Sequence, residues 1–229
     1  MNENNQNLCC VVPVYQAERT IVDLIRSIRE NQAELPIIVV DDGSTDHCVD
    51  ILTEIANITL IRHPQNRGKG AALKSGILRA RQMGYTHVIT IDADLQHPPA
   101  LMDKFIRKQQ ASSADLIIGR RKFVLREMPF QRILSNTITS LMISIRIGQC
   151  VHDSQCGFRL LRIDSLDIGK LKANGFQFES EYLVRIPRYG FRIAEIDIPT
   201  LYREERSSIR NFADTFKFIF LFLKSYIWT

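Results

Sequence analysis

The sequence predicts one α/β domain in which helices flank a mostly parallel central sheet, followed by a C-terminal amphipathic helix. Three observations predict it. Short β-branched runs alternate with helix-patterned segments through the first half, which is the signature of βαβ units. The run Ile37 to Val40 is apolar at every position, as suits a strand covered on both faces. The chain has 229 residues, 45% of them apolar and 24% charged, which suits one packed domain rather than a disordered or fibrous chain.

Each element has its own signal. Leu8 to Val14 reads as the first strand, with Pro13 and Tyr15 at its end. Thr20 to Asn31 follows as a helix because Ile21, Leu24, Ile25 and Ile28 recur at helical spacing. Pro36 opens the second strand, Ile37 to Val40. Ser44 and Thr45 are natural caps for a helix across Asp46 to Ala56, and Ile58 to Ile61 is the third strand. Then come an Ala- and Leu-rich helix, Gly68 to Gly84, a strand, Thr86 to Ile91, a helix, Pro98 to Gln109, and a strand, Asp115 to Ile118. Right-handed crossovers place these helices on the two faces of one sheet.

After Gly119 the regularity breaks. Arg120, Arg121, Lys122, Arg126 and Arg132 surround a short apolar stretch. Ile133 to Ile147 is patterned as an amphipathic helix through Leu134, Ile138, Leu141, Met142 and Ile145. The expectation is a core helix with a solvated basic approach, the alternative being a membrane-facing helix. A strand at Gly157 to Ile163, a helical segment near Glu179 to Arg188, a strand at Arg192 to Ile198 and a last helix from Asn211 complete the chain. The domain is expected over residues 1–210, its halves at about 8–119 and 120–210, with 211–229 as a separate apolar and basic segment.

Composition excludes several functions. The net charge of +5 suits anionic ligands or a membrane surface but is no nucleic-acid footprint. Five cysteines, an odd number with no CxxC pair, form no disulfide framework and point to a reducing compartment. The polar N-terminus lacks a basic and apolar leader, so export is not expected. The apolar run Phe218 to Leu223 lies between Lys217 and Lys224 and is too short to span a bilayer.

Two acidic clusters fall at the carboxyl ends of expected strands, where open α/β sheets bind ligands. In Asp41-Asp42-Gly43-Ser44-Thr45-Asp46, the adjacent carboxylates repel each other and need a ligand or donor partner. In Asp92-Ala93-Asp94-Leu95-Gln96-His97, alternate residues of an extended backbone point the same way, so Asp92 and Asp94 can approach one hard cation, Mg²⁺ or Mn²⁺. His97, before two prolines, reads as a turn residue rather than a ligand. Asn66-Arg67-Gly68-Lys69-Gly70 opens a helix with exposed amides, Arg and Lys, a plausible anion contact. It is no Walker A loop, and no GxGxxG follows the first strand, which disfavours a dinucleotide cofactor.

With these pieces in place the chain resembles a family 2 glycosyltransferase of the GT-A fold, closest to the polyprenyl-phosphate sugar transferases. The matching segments are Val12 to Tyr15, Asp41 to Asp46, Asn66 to Gly76, Asp92 to Pro99, Asp153 to Leu161, Phe176 to Glu181 and Pro199 to Ile209, in the family's order. The resemblance implies nucleotide contacts from Pro13, Tyr15, Asp41, Asp42, Lys69 and Asp92. It implies a metal held by Asp92, Asp94 and Gln96, and an acceptor side formed by Asp153, Gly157, Phe158 and Arg159, of which Asp153 and Arg159 join Asp94 as catalytic assignments. It also implies pocket-lining roles for Glu179 and Glu181. Where the family has Asn-Glu after the strand-end Tyr, this chain has Gln16-Ala17, leaving Glu18 for that nucleoside contact. The segment Tyr202 to Ile209 departs from the mannosyl-type pattern, so the donor sugar is not fixed as mannose.

The resulting expectation is an inverting, metal-dependent transfer from a UDP- or GDP-linked sugar. Arg203, Arg206 and Arg210 are expected to close over the phosphates, guanidinium being a bidentate phosphate ligand; a solvated basic face is the alternative. The expected acceptor is a polyprenyl phosphate at the cytoplasmic membrane face, met by an interfacial C-terminal helix rich in Phe with Tyr226 and Trp228 near its end. A saccharide hydroxyl is the alternative acceptor, a nucleotidyltransferase or an inactive nucleotide-sugar-binding protein the rival functions, and a homo-oligomer is compatible with all of them.

Overall fold

A computed structural model of the chain describes residues 7–122, 130–164, 167–185, 192–199, 218 and 222–225. The elements in chain order are β1 (Leu8–Val14), α1 (Ile21–Asn31), β2 (Ile37–Asp41), α2 (Cys48–Glu54), β3 (Ile58–Arg62), α3 (Lys69–Gln82), β4 (His87–Thr90), α4 (Met102–Ser112), β5 (Leu116–Arg121), α5 (Phe130–Ile147), β6 (Arg159–Arg162), α6 (Gln177–Arg185) and β7 (Ile193–Ile198). The strands form one seven-stranded sheet in the order β3-β2-β1-β4-β6-β5-β7. Strand β6 is antiparallel to both its neighbours, β4 and β5, and the other pairings are parallel.

The first half follows the expected alternation. All five residues of β2 are buried, because α-helices cover both faces of a strand that sits inside the sheet. In α1, Ile21, Leu24, Ile25 and Ile28 form the inward stripe, each contributing roughly 1.5–3 kcal/mol relative to exposure. One local expectation fails. Helix α2 is shorter than predicted and has no side-chain cap. Ser44 and Thr45 turn the other way: Gln16 N–H donates to Ser44 Oγ at 3.0 Å, and Gln16 Nε2 donates to Thr45 Oγ1 at 2.7 Å. Glu18 joins the same seam, its N–H donating to Asp46 and its carboxylate accepting from His47 N–H, both at 3.1 Å. The loops after β1 and β2 are thereby zipped together at the carboxyl end of the sheet.

Helix α5 corrects the core expectation more strongly. Leu134, Ile138, Leu141 and Ile145 are 46%, 49%, 58% and 70% exposed, so the apolar stripe faces outward. The inward face carries Asn136, Thr139 and Ser140 with Ile143 and Ile147. Its polar groups are satisfied inside: Asn136 Nδ2 donates to Asp153 at 3.0 Å, and Ser140 Oγ meets Ser154 Oγ at 3.0 Å. Burial of polar side chains with partners is what allows this reversed amphipathicity. The predicted terminal helix, 211–229, falls mostly outside the described residues. Among the described residues no helix is long and apolar enough to cross a membrane.

Candidate active site

Strands β1, β2 and β4 are parallel, so their carboxyl ends bring the loops at 15–18, 41–46 and 92–97 to one edge. Pro13 is buried within β1, while Tyr15 is 49% exposed at its end. Asp41 and Asp42 are both buried. Their repulsion is relieved by donors within the protein. Asp41 accepts from Ser44 N–H at 3.2 Å. Asp42 accepts from Arg67 N–H at 3.0 Å and Gly68 N–H at 2.7 Å, and His63 Nδ1 lies 2.6 Å from it. His63 Nε2 in turn lies 2.9 Å from Ser75 Oγ on α3. The loop expected to cradle an anion therefore spends two amides on Asp42, and Ala71 N–H donates to Asn174 O at 2.9 Å. Gly68 makes this possible with φ +100, a conformation other residues rarely adopt.

Lys69 is the first residue of α3 and reaches across the edge. Its ammonium lies 2.7 Å from Asp92 Oδ1, 2.9 Å from Oδ2, and 3.0 Å from Glu179 Oε1 on α6. Burial pulls the ammonium pKa down, but Asp92 and then Glu179 outweigh it and the net shift is upward. Burial likewise opposes ionisation of Asp92, yet the Lys69 charge holds its carboxyl below the usual range. Asp92 remains 24% exposed. Asp94 accepts from Gln96 N–H at 3.0 Å, closing the turn in which Leu95 takes φ 57. His97 is buried beneath this loop, stacked on Phe158 at 5.8 Å, and burial drives its imidazole down to about 4.

The segment 153–159 supplies the opposite wall. Thr90 Oγ1 donates to Gly157 O at 2.8 Å, pinning the segment to β4. A Cβ on residue 157 would stand 2.3 Å from Asp92 Oδ2, so only glycine lets the segment approach the acidic loop this closely. Phe158 is fully buried against Phe105, ring centroids 4.3 Å apart.

Several side chains that sequence marks for chemistry are committed to holding the site. Asp153 has no exposed surface and accepts from Arg121 Nε at 2.6 Å, Arg121 Nη2 at 2.8 Å, Arg121 N–H at 3.2 Å and Asn136 at 3.0 Å. Burial alone would raise its pKa; the bonds and charge of Arg121 hold it low instead. It therefore positions Arg121 rather than standing free as a base. Arg159 is 2% exposed and donates to the carbonyls of Cys156 and Ser154 at 2.7 Å and of Glu179 at 3.3 Å, bracing the wall. Glu181 accepts from Lys172 N–H at 2.8 Å, Ala173 N–H at 2.7 Å and Arg185 Nε at 3.0 Å, also a brace. Arg203, Arg206 and Arg210 lie outside the described residues.

Sequence reasoning grouped Arg121 with a basic run and did not mark it as a buried partner of Asp153. Alternation along β5 was the available signal: Arg121 shares the face of Ile117 and Gly119, not that of exposed loop residues. Beside it opens a cavity of about 390 Å³ lined by Arg120, Arg121, Lys122, Thr137, His152 and Asp197. Arg121 is near enough to Asp92 and His97 for its charge to act on both.

The donor set fits a hard divalent cation: two carboxylates and one amide on a single loop, with Gly157 leaving the Asp92 face clear. Among the described residues no three His, Cys, Asp or Glu side chains gather into a closed cage, so such an ion would share ligand oxygens.

Known proteins resemble this chain over most of its length. Residues 9–169 match the family model described as glycosyl transferase family 2. An uncharacterised protein of Methanocaldococcus jannaschii, MJ1222, is 30% identical over 95% of this chain and 91% of its own length. A UDP-N-acetylglucosamine–dolichyl-phosphate N-acetylglucosaminyltransferase of Methanococcus voltae is 27% identical over 85% of each chain. Among solved structures, the glucosyl-3-phosphoglycerate synthase of Mycobacterium tuberculosis, crystallised with Mn²⁺, UDP and glucosyl-3-phosphoglycerate, superposes with a TM-score of 0.75. It is 22% identical, covering 96% of this chain and 80% of that one, and shows the same fold.

Proposed function

The chain belongs to glycosyl transferase family 2 and is a glycosyltransferase, and from that premise we propose that it moves a sugar from a UDP-linked donor to a polyprenyl phosphate at a membrane surface. The observation that carries the acceptor is the cavity holding Arg120, Arg121 and Lys122 at the same end of the sheet as Asp92. Lys122 stands at this 390 Å³ space with Arg120, which Asp197 pairs, and Arg121, which Asp153 anchors, and such a basic wall suits a phosphate head group. The dolichyl-phosphate transferase of Methanococcus voltae supports the same acceptor class and a UDP donor, and the Mn²⁺ and UDP of the mycobacterial synthase support the metal and the nucleotide.

On this reading the nucleotide lies over the edge framed by Pro13, Tyr15, Glu18 and the Asp41–Asp42 loop. Asp92, Asp94 and Gln96 would hold a divalent ion, whose charge would offset that of the departing diphosphate. Lys69 keeps Asp92 ionised and ties it to Glu179. Asp153 takes the Nε–H and Nη2–H edge of Arg121 and so fixes the guanidinium beside the acceptor cavity, and Gly157 sets the distance between the two halves. Arg203, Arg206 and Arg210, outside the described residues, would add guanidinium charge for the diphosphate. No general base is required, because a phosphate monoester is largely dianionic at pH 7, its second pKa being about 6. The outward stripe Leu134, Ile138, Leu141 and Ile145 is the membrane-facing surface, in place of the core role first expected of it.

Incubating the full chain with isotope-labelled UDP-sugars, Mn²⁺ and polyprenyl phosphate in vesicles tests the proposal by mass spectrometry of the lipid. A lipid heavier by one sugar, with UDP released, is expected. UDP release that accompanies only saccharide products replaces the acceptor, and no release from any UDP-sugar overturns the donor.

A further inference from the structure

Lys69 stands where the chain would have to hold a divalent ion. Its ammonium sits between the two oxygens of Asp92, 2.7 Å from Oδ1 and 2.9 Å from Oδ2, the position that a cation gripping both oxygens would take. Asp92 belongs to the loop after β4, whereas Lys69 begins α3 and its backbone is fixed by other contacts. Ala71 N–H donates to Asn174 O at 2.9 Å, and glycine at 70 brings the helix start so close to α6 that a Cβ there would stand 2.6 Å from Phe178 Cβ. The ammonium also has a second seat. Glu179 Oε1 lies 3.0 Å away on the first turn of α6, and the Phe176 ring centroid lies 5.9 Å from Nζ. Glu179 is buried and its carbonyl is braced by Arg159 at 3.3 Å, so this seat is anchored in α6 and not in the Asp92 loop. A lysine stem rotates freely and its ammonium is a compact point charge, so it can leave one carboxylate and keep the other.

We propose that Lys69 is a resident counter-cation of the metal site, a positioning residue whose ammonium holds Asp92 before a divalent ion loads and then withdraws to Glu179 and Phe176. The inference rests on the proposed role of Asp92 and Asp94 as ligands. Two cations in contact with one carboxylate repel each other, so Asp92 accepts a divalent ion only as Lys69 gives it up. Until then Lys69 keeps Asp92 ionised and aimed across the edge of the sheet. Lys69 therefore sets how tightly the site loads, and Glu179 keeps the displaced ammonium within reach.

Asp92, Glu179 and Lys69 together carry one net negative charge, which lets contact be separated from mean field. Mn²⁺ binding to the full chain without nucleotide is read from the loss of the free ion's paramagnetic resonance signal. Lys69→Gln should tighten it about tenfold or more, the scale of a typical coupling between two sites. The double variant Lys69→Gln with Glu179→Gln removes one charge of each sign and so keeps the net charge of the wild type. It should still bind Mn²⁺ about fivefold or more tightly than wild type. Wild-type affinity in the double variant overturns the exchange, because a gain confined to the single variant is an effect of net charge alone. Unchanged or weaker affinity in Lys69→Gln overturns it outright. Asp94→Ala tests the ligand assignment separately: it should weaken Mn²⁺ binding in the wild-type and Lys69→Gln backgrounds, and undiminished binding overturns the metal site and the exchange together. If Lys69→Gln alone melts early, the charge-balanced double variant decides.

Discussion

Two carboxylates at the edge of the sheet, Asp153 and Asp92, face opposite fates. Asp153 is closed off entirely, its oxygens shared among the Arg121 fork, a backbone amide and Asn136. Asp92 keeps 24% of its side chain exposed and is balanced by a single Lys69 ammonium that it shares with Glu179. Both are held ionised below the usual carboxylate range, so charge state does not separate them. What separates them is whether the counter-charge is permanent and enclosed. The enclosed pair is shut away from ligand, and on the proposed reading the half-open one is where ligand charge is exchanged. Asp42, closed by His63 and the amides of residues 67 and 68, belongs with Asp153 in this respect.

If Asp153 is scaffold, breaking it should cost stability before anything else. Asp153→Asn leaves the Arg121 guanidinium without its counter-charge and should lower unfolding free energy by about 3–5 kcal/mol, read from urea titration. The sign with pH follows from its depressed carboxyl: the contribution is complete above the unfolded value of about 3.9 and is lost as pH falls toward the folded value. The gap between wild type and variant should therefore be full at pH 7 and close in acid. A constant gap would break the comparison.

If Asp92 is the working group, displacing it slightly should spare the fold and hurt turnover. Gly157→Ala places a Cβ 2.3 Å from Asp92 Oδ2, and sugar transfer should fall about 100-fold while the melting temperature holds. The smallest effect is expected at the second enclosed carboxylate. His63→Ala removes one partner from Asp42 but leaves both amides, and should cost about 1–2 kcal/mol of stability in the same titration. A larger loss there than at Asp153 would reverse the ranking of the two enclosures.

Much of this was legible from residues alone. The buried strand Ile37–Val40, the helix stripe of α1 and the acidic loops after β2 and β4 follow from periodicity and position, which are local properties. The partners were not legible. Arg121 meets Asp153 across 32 residues of chain, a pairing that needs the register of β5 against β6. Lys69 reaches Glu179 across 110 residues, which needs α3 and α6 to share one edge. Helix α5 misled for a related reason: Asn136 and Ser140 can face inward only because Asp153 and Ser154 partner them there. The same closure engages Asp153, Arg159 and Glu181 as braces, whereas Asp92 keeps part of its carboxylate exposed.

The most direct measurement is calorimetric titration of UDP into the full chain with and without Mn²⁺, repeated with Asp94→Ala. The account predicts that Mn²⁺ strengthens UDP binding at least tenfold or so in the wild type and that Asp94→Ala erases the difference while melting normally. Equal UDP affinity in wild type with and without the metal would contradict it.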